Sequence, residues 1–113
     1  MNRGQLVLAP FAYSDLLGSK RRPACVVSAP AFNVGPDVVL AMITSNAALL
    51  RHPGTGDVVV ADWRVAGLPL PSVVRTGRLL VIERRLVFRT LGSLAALDLA
   101  AVDEALKTVF GLR

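Results

Sequence analysis

The sequence predicts one mainly β domain, a compact antiparallel barrel or sandwich, closed by a single C-terminal helix. Three observations carry this. Short β-branched runs recur along most of the chain, Gly or Pro punctuates most of the gaps between them, and helical spacing of apolar residues is sustained only near the C-terminus. A length of 113 residues suits one domain spanning 1–113. No repeat, low-complexity segment or interdomain linker divides it.

The strand candidates follow in order. They are "QLVLA" 5–9, "ACVVSA" 24–29, "DVVLAMIT" 37–44, "DVVVA" 57–61, "SVVRT" 72–76 and "LLVI" 79–82. Several are apolar without alternation. Such a strand is covered on both faces, by core on one side and by a helix or partner chain on the other. Shorter helical turns are expected near 45–51 and 62–66. The helix is read at 98–111, "DLAAVDEALKTVFG", where Leu99, Val102, Leu106 and Val109/Phe110 share one face. Asp98 suits its N-cap, Gly111 its C-terminal stop, and Asp103 with Lys107 an i, i+4 pair.

Composition bounds the partners. Apolar residues make up 53% of the chain and charged residues only 19%. That surplus suits a second buried face, as in a homodimer. The net charge is +5, and the cations are 11 Arg and 2 Lys. An Arg bias favours forked recognition of phosphate or carboxylate, hence nucleic acid or an acidic protein. Cys25 is the only cysteine and sits in an apolar run, so it reads as core. A chain with no possible internal disulfide suits a reducing cytoplasm. No stretch reads as a signal peptide or a membrane span.

No phosphate-loop, dinucleotide or zinc pattern is present. His52, the sole histidine, lies in the turn-like "RHPGTGD", and Asp57 and Asp62 read as turn and cap residues. Three features remain. The first is "GSKRRP" 18–23, where Lys20, Arg21 and Arg22 follow a glycine and Pro23 biases Arg22 toward an extended backbone. The second is "ITSN" 43–46, where an apolar strand ends in Thr44, Ser45 and Asn46. Those side chains suit donation to a phosphate and capping of a helix equally well. The third is "VVRTGR" 73–78, with Arg75 among valines and Arg78 after a glycine turn. Arg75 reads as either a rim ligand or an outward-facing residue. Together they suggest an Arg/Thr phosphate pocket. Arg84, Arg85 and Arg89 form a second cluster that reads as a solvated edge.

In combination and order, "RGQLVLAPFAYSDLLGSKRRPACVVS", "DVVLAMITSN", "AGLPLPSVVRTGRLLVI" and "VDEAL" resemble the MazF/PemK family of toxin endoribonucleases over nearly the whole chain. The resemblance implies an SH3-like barrel with a closing helix, paired as a homodimer. It implies ribosome-independent cleavage of single-stranded RNA such as mRNA, with no metal or other cofactor, and inhibition by a cognate antitoxin whose acidic segment covers the RNA groove. Arg22 maps onto the family's central "RP" arginine, and Thr44 onto the threonine that bonds a phosphate oxygen. Ser45, Arg75, Lys20, Arg21 and Arg78 are then candidate substrate contacts. Phe11 and Tyr13, in a loop 10–22, are candidates to stack bases, though Phe11 also suits a buried loop anchor. Some members carry an Asp two residues after the Arg75 position; here Gly77 stands there, and Gln5 replaces an acidic residue often found near the first Gly. A guanidinium keeps its proton, so Arg22 suits a clamp and donor better than a base. The same barrel also resembles the CcdB group of gyrase poisons. Gly77 keeps open a third reading, an attenuated homologue that binds RNA or antitoxin without cutting.

Overall fold

The computed structural model describes residues 1–11 and 20–113. Its strands are β1 (Gln5–Phe11), β2 (Lys20–Val26), β3 (Asp37–Thr44), β4 (Asp57–Val59), β5 (Val73–Glu83) and β6 (Arg89–Ser93). Its helices are the short α1 (Pro30–Asn33) and α2 (Ala47–Arg51) and the long α3 (Ala96–Phe110). The strands form one antiparallel sheet in the order β4-β5-β3-β2-β1-β6, curled into a half-barrel.

The non-alternating runs are buried on both faces. Leu6 and Val7, Cys25 and Val26, Leu40 and Ala41, and Val73 and Val74 are adjacent pairs without exposed surface. One cluster, including Leu6, Cys25, Ile43 and Val74, packs with Leu68, Leu94 and Val102 of the C-terminal half. A second, including Val7, Phe11, Val26 and Leu40, packs with Leu80, Ile82 and Val87. The two layers follow from the sequence pattern, since each strand has apolar side chains for both sides.

Three expectations need correction. The runs read at 72–76 and 79–82 fall in one strand, which starts at Val73: β5 runs through Gly77 and Arg78, and its pairing with β3 jumps from Arg75 to Leu79 between Met42 and Ala41. Gly77 therefore sits in an irregularity of the strand, where the extra residues bend it. The cationic triad lies in β2 and not in a loop. Asp98 is no N-cap. The cap position is Ala95, and the buried Asp98 carboxylate accepts from the N–H groups of Ala61 and Asp62, 3.0 Å each. Asp103 likewise pairs with Arg3 near the N-terminus, and Lys107 with Glu104. Burial opposes ionisation of Arg3 less than its hydrogen bond to Asp103 favours it, so its pKa is raised.

Segment 61–72 is thus tied to α3 at its start. It is tied to β6 further along. Gly67 has φ +88° and Gly92 lies against the Ala66 carbonyl; a Cβ would stand 2.4 Å from the Leu91 oxygen at Gly67 and 2.2 Å from the Ala66 oxygen at Gly92. Only two backbones without side chains approach so closely. α3 ends at Gly111 in the left-handed conformation, φ +66°. Val102 is fully buried, whereas Phe110 is 57% exposed, so the apolar face of α3 is covered at its middle and bare at its end.

Replacing Asp98 by Ala strands two backbone donors and is expected to lower stability by about 2–3 kcal/mol; urea unfolding checks it, and a loss below about 0.5 kcal/mol would refute the clamp. Burial pushes the Cys25 thiol up to about 12. The folded state therefore holds this proton where the unfolded chain has released it. Its contribution is complete below the ordinary thiol range near about 8.5 and declines above it, by about 1.4 kcal/mol per pH unit. Between that range and pH 10.5 the stability of the wild type should fall more steeply than that of Cys25→Ala, as read from unfolding midpoints.

Candidate functional site

The site begins with a missing donor. In β2 the Val27 N–H bonds the Val39 oxygen and the Val26 oxygen accepts from Gly4, so odd-numbered residues turn their backbone toward β3 and even-numbered ones toward β1. The β2–β3 ladder pairs Ala24 with Met42, Cys25 with Ala41 and Val26 with Leu40. The next inward-facing residue is Pro23, which has no N–H to give Ile43. The ladder stops there, and a cleft of about 240 Å³ opens between the two strand ends.

Continuing the register places Arg22 across from Thr44, and both line the cleft with Pro23, Met42, Ile43 and Ser45. Arg22 is exposed, and among the described residues no carboxylate pairs with it. The ambiguity at "ITSN" resolves by division of labour. Asn46 is the N-cap of α2, its Oδ1 accepting from Ala48 and Leu49 at 2.9 and 3.2 Å. The Thr44 hydroxyl oxygen accepts the Asn46 N–H at 3.2 Å, so its own proton is left to donate into the cleft.

The far wall is Leu68, Pro69, Leu70 and Ser72. Sequence reasoning assigned these residues no role. The signal available was the proline-flanked "LPLPS" just before β5. The buried Ser72 hydroxyl donates to the Leu70 oxygen at 2.8 Å, which holds the wall's turn.

Other candidates lie elsewhere. Arg75 is opposite Met42 and shares its sheet face, but it does not line the cleft; its Nε donates to the buried Asp57 carboxylate at 3.0 Å. Asp57 also accepts from Gly54 N–H at 2.9 Å, which fits its reading as a turn residue. Arg78 is exposed and outside the cleft. Phe11 is 3% exposed and belongs to the core, so the anchor reading holds and stacking by its ring does not. Arg21 lies over the Phe88 ring, 3.6 Å from its centroid. Tyr13 and the Lys20 side chain lie outside the described residues. Among the described residues, no group of three His, Cys, Asp or Glu side chains is placed to hold a metal ion, and no helix is long and apolar enough to cross a membrane.

Among the described residues, the cleft therefore offers one cation, hydroxyl donors from two adjacent residues, and apolar walls. Forked N–H donors beside a hydroxyl suit a tetrahedral oxyanion. Among the described residues that line it there is no carboxylate or imidazole.

Comparison with known proteins bears on the family and the fold. Residues 2–110 match the family described as PemK-like, MazF-like toxin of type II toxin-antitoxin system. No curated protein matches the sequence. Among solved structures, an endoribonuclease in complex with its cognate antitoxin from a mycobacterial species superposes with TM-score 0.80 at 22% identity, covering 100% of this chain and 97% of that one. A MazE-MazF complex from Deinococcus radiodurans gives TM-score 0.78 at 25% identity, covering 100% and 98%. The Mycobacterium tuberculosis toxin MazF-mt6 gives 0.77 at 24%, covering 96% and 98%.

Inorganic phosphate added to the protein should shift the amide resonances of residues 22, 44, 45 and 72. Arg22→Ala should weaken that binding at least about tenfold; shifts confined to other regions, or unchanged by the substitution, would show that the cleft is no anion site.

Proposed function

Because this chain belongs to the family of PemK-like, MazF-like toxins of type II toxin–antitoxin systems, we propose that it is an endoribonuclease that cuts single-stranded RNA, mRNA included, at the Arg22–Thr44 cleft. The observation that carries the reading is the meeting of Arg22 with the unspent Thr44 hydroxyl across the end of the β2–β3 ladder.

The chemistry follows from the donor set. A ribose 2′-oxygen attacks the adjacent phosphorus while the bond to the 5′-oxygen breaks. The products are a 2′,3′-cyclic phosphate and a 5′-OH, and the 2′ proton is released as the leaving oxygen gains one. Arg22 stabilises the charge that builds on the phosphorane oxygens and is placed to protonate the leaving oxygen. Thr44 donates to a second phosphate oxygen, with Ser45 beside it. Arg75, aimed by Asp57, is assigned to the flanking strand. The proton acceptor is assigned to no side chain, since no carboxylate is among the described residues that line the cleft and Gly77 has no functional group. Slow turnover follows, or a base outside those residues takes the proton.

Two partners complete the reading. The structures similar to this one include complexes with cognate antitoxins, and a basic chain of net charge +5 suits an acidic inhibitory segment laid over the same cleft. A second copy of the chain is proposed to cover the bare end of α3, where Val27, Val39, Leu79, Leu106, Phe110 and Leu112 line an apolar hollow of about 300 Å³. Such a toxin acts in the cytoplasm, where its RNA is.

The test is incubation of the purified protein with long, weakly structured RNA in EDTA, followed by mapping of the 5′ ends. Discrete cuts ending in 5′-OH are expected, and Arg22→Ala and Thr44→Val should each lower the rate about 10²-fold or more without lowering the melting temperature. RNA binding without cuts would favour the attenuated homologue, the reading that Gly77 keeps open. Gyrase-dependent DNA breaks would favour the poison.

A further inference from the structure

One surface at the β1–β6 edge of the sheet is mixed in a way that neither the core nor the reaction explains. Phe88 lies between the 3-10 turn Arg84–Leu86 and β6. Its ring side is open, with the residue 52% exposed, yet its backbone is fixed: the Phe88 N–H bonds the Leu8 oxygen of β1 at 2.8 Å. The Arg21 guanidinium lies 3.6 Å from the ring centroid and holds the ring's orientation. Arg21 directly precedes Arg22 in β2, so the two side chains leave opposite faces of the strand, and the stacked pair lies on the β1–β6 side of β2.

The surroundings are cationic. Arg84, Arg85 and Arg89 flank Phe88 in sequence and are all exposed. Glu83, the acidic residue of that segment, is paired with Arg85 at 2.7 Å. A rigid aromatic face flanked by exposed Arg84 and Arg89, which have no carboxylate partner among the described residues, matches a nucleobase with its phosphate, because every base has a π-face and every linkage a negative charge. An acidic peptide would use the arginines alone and leave the ring without a role.

We propose that Arg21 and Phe88 form a stacking platform for an unpaired base of single-stranded RNA, on a surface apart from the Arg22 cleft. This rests on the RNA-cleaving reading of the cleft and extends its substrate contacts by a residue on the sheet edge.

The experiment measures binding and cutting separately. Binding is read by fluorescence anisotropy on a labelled, uncleavable 2′-O-methyl RNA of mixed sequence. Phe88→Ala should weaken it about tenfold, Phe88→Tyr should bind within about twofold of wild type, and the salt dependence of Phe88→Ala should match wild type because no charge is lost. Arg21→Ala, which removes the other half of the pair, should also weaken binding and keeps the test open if Phe88→Ala fails to fold. Unchanged RNA affinity in folded Phe88→Ala would overturn the platform even if the protein cuts RNA. An effect on the acidic antitoxin peptide alone would overturn it too. A wild type that binds without cutting, with weaker binding in Phe88→Ala, would uphold the platform and sink the nuclease.

Discussion

The site depends on a backbone N–H that Pro23 does not have. A ladder continued to Ile43 would have drawn β2 and β3 together to their ends and left no room between Arg22 and Thr44. The proline ends the pairing one rung early. The sheet still fixes the two strands below that point, because a one-residue slip would turn Arg22 and Thr44 to opposite faces. The opening is therefore made by a local defect and aimed by the regular structure beneath it.

The rest of the fold supports that opening from behind. Asp98, deep against α3, holds the start of segment 61–72. The Gly67–Gly92 contact holds its middle. Those two ties set where Leu68 to Ser72 can stand, and so set the far wall. The helix that reads as a lid on the core thus also fixes the position of cleft residues with which it shares no strand.

What the sequence made legible was mostly local. The run 37–44 is the strand observed, and the apolar runs without alternation correspond to a sheet buried on both sides. The expectation that Arg22 and Thr44 act together came through motif resemblance; the structure shows that both line one cleft. The misreadings share a cause. Asp98 precedes an apolar periodic segment, which is the pattern of a cap, but its partners are 36 and 37 residues away. Gly77 looks like a turn because nothing local reveals that β3 continues to pair on both sides of it. Each outcome was decided by a long-range partner, which spacing along the chain cannot display.

The stacked glycine backbones carry a consequence for how this chain can diverge. Gly67 and Gly92 lie in different segments, and neither tolerates a methyl group while the other segment stays where it is. Drift at either position is blocked unless both segments move apart, and moving them displaces the wall at Leu68 to Ser72. Variation in what the protein accepts is therefore channelled away from this seam and into the side chains that face the opening.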